Sequence, residues 1–360
     1  MTGISPADTV VAGGQLRTAV ADLFEAVGVT PADADAIAEV LVFADLRGVE
    51  SHGVQFAPRY VRGLARKLIN PLPTVAVVRE HGAIAVMDAD NGLGFISART
   101  AMTRAVELAR VHGIGCVTVR NSNHFGPAAF YAMMALEAGM IGHATTDGPP
   151  HTVAWGARTP VLSNDPVAWA FPTAGRWPIV VDTALTGVKE KIRLAAQRGK
   201  SIPSDWAVGP DGRPTTDPQV ALEGALLPIG QHKGSGLIMA NELLCGALAG
   251  AKFSFEVSPA LVQGADHHDR WSCGHFLVAI NIEAFVERGE FEARAADLAQ
   301  AVRTAPKAEG VERIYMPGEP EEELTARRLT EGIPLPQTTL DALDAVAREV
   351  GAPVPSQTLR

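Results

Sequence analysis

IGCVTVRNSNHFGPAAFYAMMALEAGMIGHATTDGPPHTVA, residues Ile114–Ala154, predicts a strand, a polar loop, a short helix and a second strand in succession. Ile114–Val119 is apolar and β-branched, as expected of a strand buried on both faces. The helix begins at Pro127, because proline suits a first helical turn, and Gly139 marks its end. A second apolar run, Met140–Thr146, follows. This order of elements predicts an α/β fold.

The polar loop Arg120–Gly126, RNSNHFG, lies between the first strand and the helix. Loops at this place are where α/β proteins usually build their sites. His124 lies in this loop among side chains able to orient it, and an imidazole titrates near neutrality. A loop histidine is more often solvated or structural, so the position of His124 does not by itself establish a chemical role.

The composition is that of an ordinary soluble globular protein. The 360 residues are 47% hydrophobic and 20% charged, and the net charge is −9 without any basic cluster. Nucleic-acid and anionic-membrane partners are therefore not expected. No apolar run approaches ~18 residues, and the start lacks the features of a signal peptide. Cys116, Cys245 and Cys273 lie far apart, which predicts reduced thiols and a cytoplasmic protein.

A second candidate histidine follows the N-terminal helices. Thr30–Asp33, TPAD, is a helix start signal, and the helix is expected to run to about Leu46. The run Ala44–Gly53, ADLRGVESHG, closes this helix and carries Ser51 and His52. As for His124, a loop position alone does not establish a chemical role for His52.

No dinucleotide fingerprint of the Rossmann type is present, because no Gly-x-Gly-x-x-Gly follows a strand. Another glycine-rich segment, Gly230–Gly236 (GQHKGSG), opens a helix at Leu237. Its glycines and one lysine at a helix N-terminus suit a phosphate, although the spacing is not that of a Walker loop. Any dinucleotide must therefore bind in another way.

Several motifs together resemble the malate/L-lactate dehydrogenase family of the non-Rossmann type. These are Asn-Ser-Asn-His-Phe-Gly at 121–126, the Ser-His-Gly run at 51–53, and the turns IPSDWA at 202–207 and GRPTTDP at 212–218. The resemblance extends over roughly Val27 to Phe276. The two turns have no evident chemistry, so we interpret them as structural.

This resemblance implies an α/β, non-Rossmann fold with the active site between two parts. A mixed-sheet cofactor domain is expected at 119–289, and a helical scaffold and dimerisation lobe at 1–118 with 290–360. The implied activity is hydride transfer between NAD or NADP and a small 2-oxo or 2-hydroxy acid, without a metal, in a homodimer. A cyclic 2-imino acid (ketimine) is an alternative substrate, and a catalytically silent nucleotide-binding paralogue is an alternative of another class.

The family motifs also imply roles for individual residues. His52 and His124 are both candidate proton donors, with no choice between them, and Asp182 assists. The residues implied in substrate binding are Ser51, Phe56, Arg59 and Tyr60. Those implied in cofactor binding are His124, Gly148, Asp182, Thr183, Ala184, Lys233 and Gly234.

Phe56 departs from the family, which has an arginine four residues after the Ser-His-Gly histidine. A guanidinium is the natural bidentate partner of a carboxylate, and phenylalanine cannot take that role. Either another cation substitutes, with Arg59 and Arg47 nearest in sequence, or the substrate is less anionic at this place. Alternatively, the loop shifts and Phe56 only packs. Glu190 and Ser235 also depart from the family, and these departures motivate the alternative of a silent paralogue.

Three further interpretations remain open in the sequence. Asp182 follows the apolar run PIVV at 178–181 and either pairs with His52 or caps a helix at 188–198. Asp266–Asp269, DHHD, suggests a metal site only weakly, because no Cys-x-x-Cys or His-Glu-x-x-His frame supports it. Pro320–Glu323 is expected to be an acidic, solvated run.

Overall fold

A computed structural model describes residues 8–257 and 272–359. The strands are β1 (Thr9–Val11), β2 (Ala76–His81), β3 (Ile84–Asp88), β4 (Ile114–Ser122), β5 (Ile141–Thr146), β6 (Thr152–Val153), β7 (Pro160–Leu162), β8 (Val167–Phe171), β9 (Ile179–Thr183), β10 (Ala207–Val208), β11 (Ala225–Leu226), β12 (Cys273–Ile280) and β13 (Ile333–Leu335). The helices are α1 (Gly13–Glu25), α2 (Pro31–Leu46), α3 (Ala57–Ala65), α4 (Gly94–His112), α5 (Ala128–Glu137), α6 (Lys189–Gln197), α7 (Pro218–Glu223), α8 (His232–Glu242), α9 (Arg288–Thr304), α10 (Glu319–Glu331), α11 (Gln337–Val350) and α12 (Pro355–Thr358).

The largest sheet has seven strands in the order β2-β3-β4-β12-β5-β8-β9. Strands β3 and β4 are parallel, whereas the other neighbouring pairs are antiparallel. This mixed sheet, with helices packed against it, confirms the predicted α/β class. Strand β4 extends beyond the predicted Ile114–Val119, because the polar residues after it continue to pair and Ser122 lies opposite Cys273.

Two glycines allow helices to approach this sheet closely. A Cβ atom at Gly115 would overlap the backbone of Ala105 in α4, and one at Gly142 would overlap the backbone of Ala132 in α5. The faces of both helices toward the sheet are rich in alanine and are buried. Close packing of this kind leaves little freedom to the loop that joins β4 to α5.

The helix signals near the N-terminus are confirmed. Thr30 Oγ1 accepts a hydrogen bond from the Asp33 N–H at 3.2 Å, and α2 ends at Leu46. Helices α1, α2 and α4 share one large apolar core with the sheet, and Phe24 and Phe95 are among its largest fully buried side chains. Burying one such side chain contributes about 1.5–3 kcal/mol.

A second sheet, in the order β10-β11-β6-β7, has a separate apolar cluster beside α6 and α7. Ile202 and Ala207, from one of the turns that resemble the family, are buried in this cluster. That placement is consistent with a structural role for the turn.

The two ends of the described chain meet in a third, two-stranded sheet. Strand β1 pairs with β13 in antiparallel register, with Val11 opposite Ile333. The predicted boundary between residues 118 and 119 falls inside β4, so the two proposed lobes share the large sheet. The division into lobes stays a prediction. In the described parts of the chain, no helix is both long and apolar enough to cross a membrane.

Candidate active site

The turn that carries Ser51 and His52 is held by Asp45 at the end of α2. The Asp45 carboxylate accepts a hydrogen bond from the Val54 N–H at 2.8 Å. It also lies so close to Gly53 that a Cβ atom there would overlap it. Burial raises the pKa of Asp45 to about 7. The turn therefore depends on both a buried carboxyl group and a glycine.

Two arginines, Arg47 and Arg328, link this turn to helix α10 (Glu319–Glu331). Arg328 donates hydrogen bonds to the backbone oxygen of Asp45 and, at 2.9 Å, to the Glu50 carboxylate. Arg47 and Glu322 form an ion pair of 2.5 Å in which both side chains are largely buried. The segment around His52 is thus fixed by contacts far apart in sequence.

The hydrogen-bond partners of His124 define which of its two ring nitrogens is an acceptor. Its Nδ1 accepts a hydrogen bond from the Gly126 N–H at 3.2 Å and lies 2.7 Å from the Tyr60 hydroxyl. Because a backbone N–H can only donate, Nδ1 carries no proton and the proton of the neutral ring is on Nε2. The Tyr60 hydroxyl therefore also donates to Nδ1.

The two candidate histidines lie side by side. The rings of His52 and His124 are stacked at 5.6 Å between centroids, with 15° between their planes. Burial lowers the pKa of His52 to about 4. Burial, together with the charges of His52 and Arg59, holds the pKa of His124 well below its usual value. Both rings are therefore neutral at pH 7, and Nδ1 of His52 lies 3.0 Å from Ser51 Oγ.

Asp182 lies at the end of β9 and contacts the first turn of α5. Its carboxylate accepts a hydrogen bond from the Ala129 N–H at 3.2 Å, where the helix dipole favours a negative charge. The Asp182 side chain is exposed to the space of a cavity. The protein atoms around it nevertheless reduce the solvation of its carboxylate, which raises the pKa of Asp182 to about 6. Val188, and not Asp182, is the N-cap of α6, so the predicted cap is wrong. Among the described contacts, Asp182 bonds to Ala129 and His52 bonds to Ser51, and no hydrogen bond joins Asp182 to His52.

A cavity of about 510 Å³ lies beside Asp182. Its walls combine apolar side chains, among them Val49, Val180 and Pro317, with the carboxyl groups of Asp182 and Glu321. This mixture suits a ligand with both a flat apolar group and hydroxyl groups.

A smaller cavity of about 220 Å³ adjoins the first. The wall common to both cavities is formed by Ser51, His52, Gly126, Asn164, Pro166, Ala184 and Val188. His124 lines the smaller cavity, and Gly148 does so from another loop. A small molecule in this cavity would therefore lie next to a ligand in the larger one.

Three cationic side chains also line the smaller cavity. Arg59 comes from α3, whereas Lys189 and Arg193 lie four residues apart on one face of α6. Burial, and then the charges of these three cations, lower the pKa of His151 in the same cavity to about 4. Phe56 adds an apolar surface.

Three carboxyl groups, of Asp147, Asp165 and Glu242, lie close enough together for their charges to interact. Burial, and to a smaller extent the charge of Glu242, raise the pKa of both aspartates well above the usual range. Within residues 8–257 and 272–359, no group of three His, Cys, Asp or Glu side chains is arranged to hold a metal ion. The weak metal candidate Asp266–Asp269 lies outside the described residues.

Residues 11–344 match the protein family described as malate/L-lactate dehydrogenase. The chain belongs to this family. The malate dehydrogenase of Pyrococcus abyssi is 37% identical over 346 residues, which cover 94% of each chain. The structure of sulfolactate dehydrogenase from Methanocaldococcus jannaschii superposes with a TM-score of 0.90 at 34% identity, covering 97% of this chain and 99% of that one. The delta1-piperideine-2-carboxylate reductase from Pseudomonas syringae pvar. tomato superposes with a TM-score of 0.84 at 30% identity, covering 94% and 100%.

These similarities confirm the family and the fold expected from the sequence motifs. This member of the malate/L-lactate dehydrogenase family is an oxidoreductase of the 2-hydroxy-acid type.

The two cavities of this dehydrogenase bring together most of the residues named from the sequence. Ser51, His52 and Ala184 line both cavities, Phe56, Arg59, His124 and Gly148 line the smaller one, and Asp182 and Thr183 line the larger one. Tyr60 is buried behind His124 as its hydrogen-bond partner. Lys233 and Gly234, both described, line neither cavity and begin α8 instead.

The residues of one wall of the larger cavity were not predicted from the sequence. Tyr315–Gly318 and Glu321 line it, although Pro320–Glu323 was expected to be a solvated run. Pro320 is exposed as expected, but Glu321 lines the cavity and Glu322 is only 12% exposed in its ion pair with Arg47, so the run is only partly solvated. The helix Glu319–Glu331 begins at this segment. A turn-forming Pro-Gly pair followed by an acidic first turn is a helix start signal, and it could have identified this segment.

Proposed function

We propose that this chain catalyses NAD- or NADP-dependent interconversion of a small 2-oxo acid and its 2-hydroxy acid. The observation that carries the proposal is His124, an Nε2–H donor in a small cavity that adjoins a larger one with the character of a nucleotide site. In the reduction, the carbonyl carbon gains a hydride and its oxygen gains a proton. The nicotinamide, when bound, supplies the hydride and is oxidised.

The larger cavity fits a dinucleotide in its chemistry. Small-molecule and cofactor sites commonly measure about 300–1,000 Å³, and the carboxyl groups of Asp182 and Glu321 can accept hydrogen bonds from ribose hydroxyls. Thr183 and Ala184 would contact the same ligand, and Gly148 would contact its nicotinamide end. The predicted contact of Lys233 and Gly234 requires the ligand to extend beyond these two cavities.

In this proposal His124 is the proton donor to the substrate oxygen. Nε2–H would give up its proton as negative charge develops, and the Tyr60 hydroxyl, 2.7 Å from Nδ1, can donate at the other side of the ring. Transfer through both nitrogens keeps the ring neutral, in agreement with the low pKa of His124, and leaves the negative charge on the Tyr60 oxygen, where the positive charge of Arg59 favours it. A positioned acid of this kind contributes about 10²–10⁴ in rate. His52, stacked on His124, would hold the ring in place.

The test is a steady-state assay with NADH and NADPH and a panel of 2-oxo acids, followed at the absorbance band of the reduced nicotinamide. Oxidation of the cofactor by at least one 2-oxo acid is the expected result. Tight cofactor binding without oxidation across the panel would show a silent paralogue instead.

A second candidate activity is reduction of a cyclic 2-imino acid. The similarity to delta1-piperideine-2-carboxylate reductase and the apolar surface of Phe56 favour it. The same assay with cyclic imino acids decides between the two, because the preferred class will show the higher kcat/KM.

We also propose that the enzyme is a cytoplasmic homodimer, built from the two lobes predicted above. Its family resemblance supports the dimer, and the free thiols of Cys116, Cys245 and Cys273 agree with a reducing compartment. Light scattering after size-exclusion chromatography should give about twice the chain mass of 37.9 kDa. A mass near that of one chain would contradict the dimer.

A further inference from the structure

His275 is a buried histidine in the large sheet that has no part in the proposed proton transfer. It lies on the central strand β12, opposite Val119 of β4 and Thr146 of β5, and is fully buried. Burial lowers the pKa of His275 to about 3, so the neutral ring has one donor and one acceptor nitrogen. Both are used, because Nδ1 lies 2.7 Å from Thr146 Oγ1 and Nε2 lies 2.7 Å from Ser122 Oγ.

The same imidazole contacts the polar loop of His124 on both sides of that residue. Ser122 precedes His124 by two positions, and Phe125 directly follows it. The rings of His275 and Phe125 are stacked at 4.8 Å between centroids, with 17° between their planes. On the other side of His275, Thr146 lines the smaller cavity that His124 also lines. His275 therefore joins the loop to the neighbouring wall of the cavity.

A bulge in β4 accompanies the contact with Ser122. Cys273 lies opposite Ser122 and His275 lies opposite Val119, so β4 has one residue more than β12 between these pairs. Asn121, inside the bulge, has a left-handed backbone with a φ of 53°. A residue with a side chain keeps this conformation only when surrounding contacts hold it, and bulges beside active sites commonly redirect a side chain.

We propose that His275 is a positioning residue that sets the place of His124 in the smaller cavity. This inference rests on the proposed function, because His124 is the proposed proton donor. The hydrogen bond to Ser122 fixes the loop before His124, the stacked ring fixes it after His124, and Thr146 holds the imidazole from the next strand. Proton transfer tolerates little displacement, since a shift of ~1 Å can cost about 10² in rate.

The first experiment replaces His275 by each of two amides. Glutamine places its amide near the position of Nε2 and can still bond to Ser122, whereas asparagine reaches only the position of Nδ1. Both variants lose the stacked ring. We expect kcat to fall by about 10² in His275→Asn, and His275→Gln to restore most of that loss, with KM for the cofactor unchanged in both. Equal losses, no loss, or a larger loss in His275→Gln would each overturn the positioning role.

His143→Asn is the control for lost packing in the same sheet. His143 is buried on β5, its ring stacks on Trp169 at 4.2 Å, and it does not line the described wall of either cavity. We expect His143→Asn to lower the thermal unfolding temperature by an amount similar to His275→Asn and to leave kcat unchanged. An equal fall of kcat in the two variants would show that lost packing is sufficient, and the positioning role would fail.

Ser122→Ala tests the same hydrogen bond from its other end, with little change in volume. It should lower kcat about tenfold in the wild-type background. Its effect should be clearly smaller in His275→Asn, which already lacks the bond, because mutations of two contacting residues are not additive. Equal effects of Ser122→Ala in the two backgrounds would contradict the proposal.

Nitrogen-15 NMR of the histidine rings tests the placement of His124 without turnover. The ring shifts of His124, assigned with His124→Ala, report its tautomer. We expect the Nε2–H form in the wild type and in His275→Gln, and a mixture of tautomers in His275→Asn, where the Gly126 N–H is no longer directed at Nδ1. If this difference is found but no 2-oxo acid or cyclic imino acid turns over, the dehydrogenase proposal fails and the positioning role stands. If all three proteins show the same tautomer, the positioning role fails even in an active enzyme.

Discussion

The hydrogen bonds that Gly126 and Tyr60 donate determine the tautomer of His124. Both direct a hydrogen atom at Nδ1, which leaves the ring proton on Nε2. The Asn-Ser-Asn-His-Phe-Gly motif identified the histidine from sequence, but not its tautomer. That property arises from a tyrosine 64 residues away. A choice between the two histidines therefore requires the three-dimensional contacts.

The first prediction concerns His124→Ala. We expect kcat to fall by about 10²–10⁴, because the variant lacks the proposed proton donor, while cofactor affinity is unchanged. Stopped-flow assays and fluorescence titration of NADH measure the two quantities. His112→Ala, at the exposed end of α4, is the control and should retain full activity. Near-normal turnover in His124→Ala would move the donor role to His52.

The second prediction follows from the pKa of Asp182, which is raised to about 6. Below that pH the carboxyl is protonated and becomes a weaker acceptor for a ribose hydroxyl, so cofactor affinity should increase as pH rises from 5 to 7. Asp182→Asn should abolish this increase and weaken binding about tenfold at pH 7. Calorimetric titration of NADH at several pH values measures both. A pH-dependent affinity that persists in Asp182→Asn would exclude this role.

At the scale of elements, the 50–56 segment and the β4–α5 loop bring the two candidate histidines together. Strand β4 and helix α5 are predictable because their local signals agree: a β-branched run, a proline and Gly139, which adopts a positive φ of 69°. The contact of Asp182 with α5 is not predictable in the same way. It depends on β9 forming the edge of a sheet whose strands are far apart in sequence.

The third prediction concerns Gly53→Ala in the segment around His52. The added methyl group would overlap the Asp45 carboxylate, so we expect a loss of about 2–4 kcal/mol in the free energy of unfolding. Gly14→Ala in α1 is the control, because nothing lies within 4 Å of the added atom, and it should be neutral or stabilising. Urea unfolding of both variants measures the difference. Similar stabilities would show that the turn adapts.

At the scale of the whole molecule, contacts between the N-terminal third and the C-terminal helices complete the site. Arg328 and Glu322 reach the segment around His52, and the helix that carries them forms part of the larger cavity wall. The sequence motifs do not reveal this, because single arginines and glutamates on an amphipathic helix most often face solvent. The cations Lys189 and Arg193 were missed for the same reason.

The fourth prediction concerns Arg328→Met. This variant removes one donor to the backbone oxygen of Asp45 and leaves the Glu50 carboxylate without its ion-pair partner Arg328, so we expect a loss of about 1–3 kcal/mol in unfolding free energy and a lower kcat. Arg327→Met is the control, because Arg327 is about half exposed and lies 3.8 Å from Glu331. Its loss should be below about 0.5 kcal/mol. Thermal unfolding and the reductase assay on both variants test the prediction. Equal stability of the two would contradict the structural role of Arg328.

The pairing of β1 with β13 has a consequence for biosynthesis. The first described strand leaves the ribosome long before its partner has been translated, so the sheet that joins β1 to β13 cannot form until Leu335 has emerged. The helix Glu319–Glu331 is also made late, and the nascent chain therefore holds its His52 segment without the arginine and glutamate that later fix it. The segment around His52 therefore reaches its final contacts only after the strand that ends at Leu335 has left the ribosome.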